Sequence, residues 1–253
     1  MQEYGQIFSR VYNERWGGFA RQKAGLIYSF ITPLLEADGL SKTLLDVCCG
    51  TGQFDTLFLQ NDYRVAGIDL SPEMINHAKN NNKEWVSNGY AVYSEMDAAD
   101  ISLTETYSCA VSLYDALNHL PTAAELQICF RGVYNCLCDG GFFIFDLNTR
   151  KGLLRWNGIS VQEDDEFTII SRGVYDMPME RAFTTISGFA RNEKGTYDRF
   201  SETVYNTVYD MIDVCTLLEK AGFSDIRMTD GVDFTKMLPD PEEAGRVFFV
   251  VKK

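Results

Sequence analysis

The stretch LLDVCCGTGQF, Leu44 to Phe54, sets a carboxylate, two adjacent thiols and two glycines between an apolar run and a helical one. Three chemistries fit Asp46, Cys48, Cys49, Gly50 and Gly52 at this spacing: a metal or redox site, a glycine loop that grips phosphate, or a turn that admits another nucleotide-like ligand. Further along, Asp69 lies near the end of the run RVAGIDL, Asp97 sits in EMDAAD, and the chain's two histidines are His77 and His119.

The thiols do not form a metal-ligand pattern. The seven cysteines fall at 48, 49, 109, 129, 136, 138 and 215, with no CxxC among them. Neighbours on a strand point to opposite faces, so Cys48 and Cys49 do not converge on one tetrahedral ion. Free, buried thiols in a reducing compartment are the expectation. The glycine loop lacks the Lys-Ser/Thr pair of a P-loop and the GxGxxG spacing that seats a pyrophosphate. Glycines at a strand end let a ligand approach the backbone closely, and an acid ending the next strand, Asp69, can bind a ribose diol. The pattern points to a nucleoside ligand.

The elements that must position these residues alternate. Thr43–Cys48, Arg64–Leu70, Tyr90–Met96, Ser108–Leu113 and Phe142–Leu147 read as buried strands. Between the second and third a helix opens at Ser71-Pro72-Glu73, with Ser71 as its cap and Pro72 at its first position. A helical run Ala123–Cys138 leads through Asp139-Gly140-Gly141 into the fifth strand. Alternation of this kind predicts a doubly wound parallel α/β sheet. Glu3–Ala37 reads as helical. After Thr149 the chain turns rich in Thr, Ile, Val, Phe and Tyr. Glu166–Tyr175, Arg181–Arg191 and Thr196–Tyr209 are expected as antiparallel strands inserted after strand five. Asp210–Ala221 returns to helix, and Ser224–Thr229 with Arg246–Val251 completes seven strands, as a hairpin at the sheet edge. The expected organisation is one domain: a helical cap over 1–40, a ligand-binding half over 41–150, an inserted sheet over 157–209, and closing elements over 210–253.

Composition narrows the partners. With 23 basic and 36 acidic residues the net charge is −13 and no basic stripe is visible, which disfavours polynucleotides and anionic membrane surfaces. No apolar run approaches the ~20 residues that span a bilayer. The start, MQEYGQIFSR, lacks a signal-peptide layout, so a cytoplasmic protein is expected.

In order and spacing these segments resemble the class I S-adenosylmethionine-dependent methyltransferases. LDVCCGTG matches the family's first motif, IDLSPEMINHAK the second and EMDAADI the third; VSLYDALNHL and GGFFIFDLNT resemble the small-molecule branch. The family's first loop glycine is Cys48 here. The resemblance implies a Rossmann-like fold and residue roles by motif position. Asp46, Cys48, Gly50 and Gly52 would floor the methionine half of the cofactor, and Asp69 would accept from both ribose hydroxyls. Leu70 and Met74 would pack on adenine, with Asp97 and the Ala98 backbone reading its edge. Leu113 would lend its carbonyl near the methionine ammonium or the reactive methyl. Tyr4 and Tyr12, placed in the N-terminal helix, match tyrosines that close the pocket.

The resemblance also implies S-adenosyl-L-methionine as methyl donor, S-adenosyl-L-homocysteine as product, and a small-molecule acceptor methylated on nitrogen or oxygen, as in aminosugar or glycine-type N-methyltransferases. Such an enzyme aligns a nucleophile with the methyl, excludes water and accommodates a proton. His119, after strand four, is the expected base, since imidazole titrates near neutral pH. Tyr12, Asp115 and Asn118 are the next candidates, and His77 is expected to be solvated. The inserted sheet is the expected lid, its aromatics Phe167, Tyr175, Phe183, Phe189 and Tyr197 either lining a pocket or filling a core. A nicotinamide-dependent oxidoreductase and a non-catalytic S-adenosylmethionine-binding protein are the competing readings.

Overall fold

The computed structural model describes residues 4–253. The chain opens with α1 (Gln6–Arg15) and α2 (Gly17–Ala37), then alternates β1 (Thr43–Val47), α3 (Asp55–Leu59), β2 (Arg64–Asp69), α4 (Pro72–Asn81), α5 (Lys83–Ser87) and β3 (Ala91–Glu95). Next come β4 (Tyr107–Ser112), a 3₁₀ turn at Ala116–His119, α6 (Ala123–Cys136), β5 (Leu137–Asn148) and α7 (Arg150–Leu154). Four strands follow: β6 (Gly158–Glu163), β7 (Phe167–Asp176), β8 (Arg181–Arg191) and β9 (Tyr197–Thr207). The chain ends with α8 (Met211–Ala221), β10 (Ser224–Thr229), a 3₁₀ turn and β11 (Arg246–Lys252).

The main sheet has seven strands in the order β10-β11-β5-β4-β1-β2-β3, and β6 to β9 form a second, antiparallel sheet. In the main sheet β11 runs antiparallel to both its neighbours while β1 to β5 run parallel. Both faces are covered, so adjacent residues of one strand enter different cores. Leu45 and Val47 pack with α6 and α8, whereas Leu44 packs with α2 and α3. This explains why β1 reads as a continuous apolar run. The strand order reverses at β1, whose neighbours are β2 and β4, and such a switch point opens a crevice at the strands' carboxyl ends. Ser71 caps α4, its hydroxyl accepting the Met74 amide at 3.3 Å, with Pro72 in the first turn.

Two expectations are corrected. Helix α6 stops at Cys136, and β5 starts at Leu137, so Asp139-Gly140-Gly141 lies inside the strand as an irregularity: the pairing with β4 slips between Tyr107↔Leu137 and Cys109↔Phe142. The second sheet has a fourth strand, β6, whose six residues are all exposed; with neither face buried, it leaves no hydrophobic pattern to read. The closing pair lies at the sheet edge as expected, antiparallel, with β10 outermost and β11 between it and β5.

The second sheet is joined to the N-terminal helix rather than held off it. Phe8 and Val11 of α1 pack with Phe167, Ile169, Ala190 and Phe200, and Arg15 stacks over Phe167 at 4.5 Å while pairing with Asp164. Among the described residues no helix is long and apolar enough to cross a membrane.

Candidate active site

A cavity of about 690 Å³ opens between the carboxyl ends of β1, β2 and β4, helix α1, and the ends of β8 and β9. Its sheet-side wall includes Cys48, Gly50, Asp69, Leu70, Met74 and Leu113, and Tyr4, Tyr12 and His119 also face it.

The loop after β1 winds through three left-handed residues: Cys48 at φ 62, Gly50 at 55 and Gly52 at 66. Glycine is required at 52, where a Cβ would lie 2.9 Å from Asn82 Nδ2 and 3.2 Å from the Ala78 backbone. Cys48 takes a conformation that favours glycine, which accounts for a small residue there. The two thiols diverge: Cys48 faces the cavity, while Cys49 is buried, its sulfur 2.9 Å from where a Cβ on Gly67 would be. Burial raises the pKa of both thiols, and neighbouring carboxylates add to the rise, so neither is an activated thiolate.

Asp69 ends β2 with both oxygens engaged by backbone. Oδ2 accepts the Gly50 amide and Oδ1 the Ser71 amide, each at 2.9 Å. Burial raises its pKa, and the two amides pull it back. The carboxylate is thereby fixed in the cavity wall with lone pairs left for a ligand diol.

Asp46 faces a smaller adjoining cavity of about 40 Å³ that shares Tyr12, Cys48, Gly50 and Leu113 with the first. It lies beside Asp55, and both carboxyls are buried. Burial is the main cause that raises both, Asp55 to about 7, while Tyr93 donates to Asp55 Oδ2 at 2.9 Å.

After β4 the backbone makes two successive left-handed residues, Tyr114 at φ 66 and Asp115 at φ 52. Asp146, fully buried on β5, holds this turn: its oxygens accept the Tyr114 amide at 2.7 Å and the Asp115 amide at 3.0 Å. Arg246 on β11 pairs with Asp146 and bridges to Asp115 at 2.7 Å. Of the Asp146–Arg246–Asp115 triad the sequence pointed only to Asp115; Asp146 left one signal, an aspartate inside the otherwise apolar FFIFDL.

His119 lies at the end of the 3₁₀ turn, its Nδ1 2.7 Å from the Tyr205 carbonyl. A carbonyl only accepts, so Nδ1 carries the hydrogen and Nε2 of the neutral ring is left as acceptor. Asn118 is buried and fully used, donating to the Asn148 and Thr207 carbonyls and accepting the Asn148 amide, which removes it as a candidate base.

Other expected residues stand apart. Tyr4 precedes α1 rather than lying in it; it faces the cavity, stacked on Tyr12 with centroids 6.4 Å apart. Burial raises the pKa of both phenols, so neither is a ready base. Gly52, Asp97 and Ala98 do not line the cavity. Asp97 accepts the Ala99 amide at 2.8 Å, and Ala98 belongs to the core. His77 is half-buried rather than solvated. None of Phe167, Tyr175, Phe183, Phe189 and Tyr197 lines the cavity: the first two are buried, and Phe189 and Tyr197 are exposed. The second sheet instead presents Ser171, Thr184, Ile186, Val204 and Asn206.

Residues 44–141 match the methyltransferase domain family. A putative methyltransferase of Geobacillus sp. (strain WCH70) is 26% identical over 230 residues, covering 89% of this chain and 91% of that protein. The dTDP-3-amino-3,4,6-trideoxy-alpha-D-glucopyranose N,N-dimethyltransferase of Streptomyces venezuelae is 28% identical over 106 residues, 42% of each chain. The crystal structure of an S-adenosylmethionine-dependent methyltransferase from Clostridium acetobutylicum superposes with a TM-score of 0.81 at 23% identity, covering 97% of both chains.

Proposed function

We propose, from the premise that this chain is a class I S-adenosylmethionine-dependent methyltransferase, that it methylates a nitrogen of a small molecule and releases S-adenosyl-L-homocysteine. The observation that carries this reading is the single cavity in which Asp69 and the Cys48–Gly50 turn lie on one wall and the free Nε2 of His119 on another. The relative that acts on an amino group of a sugar nucleotide supports nitrogen over oxygen.

The donor supplies an electrophilic methyl on a sulfonium, and the protein supplies position and a proton acceptor. Asp69, immobilised by the Gly50 and Ser71 amides, takes the ribose hydroxyls. Leu70 and Met74 flank the adenine, and the Leu113 carbonyl with Asp46 meets the methionine end. Tyr4 and Tyr12 close the cavity over it and exclude water. The acceptor amine approaches from the second sheet with its lone pair toward the methyl. As the C–N bond forms and the C–S bond breaks, the electron pair stays on sulfur, and the proton shed by the new ammonium goes to His119 Nε2.

Incubating the protein with S-adenosylmethionine and matched amine and alcohol panels, with S-adenosylhomocysteine release as readout, tests the reading. Turnover among the amines is expected. Turnover of alcohols alone would overturn the choice of nitrogen, and no turnover across a broad panel would overturn the choice of acceptor class.

A further inference from the structure

We propose that the cavity contains an anion subsite at Arg181, so that the methyl acceptor carries a carboxylate or phosphate besides its reacting group. This rests on the methyl-transfer reading above and specifies the acceptor's charge.

Arg181 opens β8 and faces the cavity in a chain with net charge −13. Among the described residues its side chain has no ion pair and no hydrogen bond, and its Nε is buried without a partner. The carboxylates nearest in sequence and register are occupied elsewhere. Glu180 pairs with Arg150 at 2.7 Å, and Asp176, opposite Arg181 in the ladder, accepts the Met179 amide at 3.2 Å. The cavity's other arginine, Arg246, is neutralised by Asp146 and Asp115. Arg181 is nevertheless held in place, stacked 4.1 Å over the ring of Tyr205. A stacked guanidinium leaves its N–H edge in a fixed plane, the geometry that grips two oxygens of a carboxylate or phosphate. The adjacent wall residue Asn206, paired with Ala182 in the β8–β9 ladder, is fully buried with neither amide atom hydrogen-bonded. Unused polar capacity buried in a cavity wall is costly unless a ligand meets it.

The placement suits the reaction. The Tyr205 whose ring carries Arg181 also gives its carbonyl to His119. An acceptor anchored at Arg181 is thus held by the same residue that orients the proton acceptor, which fixes the amine relative to Nε2.

The test uses the full chain saturated with S-adenosylhomocysteine, titrated calorimetrically with pyrophosphate in one arm and malonate in the other. Binding of either anion is expected, weakened at least about tenfold in Arg181→Gln and partly retained in Arg181→Lys, with S-adenosylhomocysteine affinity unchanged in both variants. The arm that binds more tightly distinguishes a phosphate from a carboxylate acceptor. Absence of binding in both arms, or equal affinity in wild type and Arg181→Gln, overturns the subsite. Failure of wild type to bind S-adenosylhomocysteine at all would instead strike at the methyl-transfer reading, so the two failures are separable. A variant that fails to bind S-adenosylhomocysteine is replaced by Arg181→Met, which keeps the stem packing over Tyr205.

Discussion

His119 and Tyr205 meet through an imidazole Nδ1 and a backbone carbonyl 2.7 Å apart, one from the main sheet's rim and the other from the inserted sheet. The contact fixes the tautomer of the only cavity histidine and ties its orientation to strand β9. On the reading above, His119→Ala lowers turnover by about tenfold or more, within the 10²–10⁴-fold range of a positioned base, while S-adenosylhomocysteine affinity stays unchanged. Turnover and its pH profile equal to wild type would show that His119 only packs.

Asp46 and Asp55 are buried side by side beneath the glycine loop, and burial raises the pKa of both. An acid whose pKa is raised on folding holds its proton more tightly folded than unfolded. Stability is therefore greatest on the acid side and falls as pH rises from about 4, the unfolded value, toward about 7. Asp55→Asn removes that titration and keeps an acceptor for Tyr93, so the variant gains stability relative to wild type between pH 5 and pH 8. Urea midpoints at the two pH values measure this, and a pH-independent difference between the proteins contradicts the raised carboxyl of Asp55.

Cys48 and Gly52 are both left-handed but differ in what surrounds them. Cys48→Gly relieves strain at some cost in chain entropy and is expected to change stability by less than about 1 kcal/mol. Gly52→Ala adds strain and drives a methyl against Asn82 and Ala78, for a loss of about 1–3 kcal/mol. Thermal melts of the two variants check the ranking; equal losses would mean that the loop does not depend on glycine at 52.

Asp146→Ala leaves Arg246 half-paired and frees the Tyr114 and Asp115 amides. Removing one partner of a buried ion pair costs about 3–5 kcal/mol. A denaturation midpoint within error of wild type would contradict the place of Asp146 as the anchor of that turn.

The parallel sheet and its glycine turn were legible because the strands between the two cores are mainly apolar and the helix after β2 announces its start with Ser71 and Pro72. Asp69 was legible as an acid at a strand end. What escaped depended on contacts distant in sequence. Arg246 reaches Asp146 across 100 positions and His119 reaches the Tyr205 carbonyl across 86, and neither separation leaves a periodic trace. Which of the inserted sheet's residues line the cavity was not legible for a related reason. Only packing against α1 decides which face is inner; that face sets Phe167 and Phe200 on α1 and presents Ser171, Thr184 and Asn206 to the cavity.

The central claim is that the cavity binds S-adenosylmethionine through Asp69, and the most direct measurement is calorimetric titration of S-adenosylhomocysteine into wild type and Asp69→Ala. A hydrogen bond to a charged acceptor contributes about 1.5–3 kcal/mol, so the wild type should bind and the folded variant should bind at least about tenfold more weakly. No binding by wild type, or equal dissociation constants in the two proteins, would contradict the account.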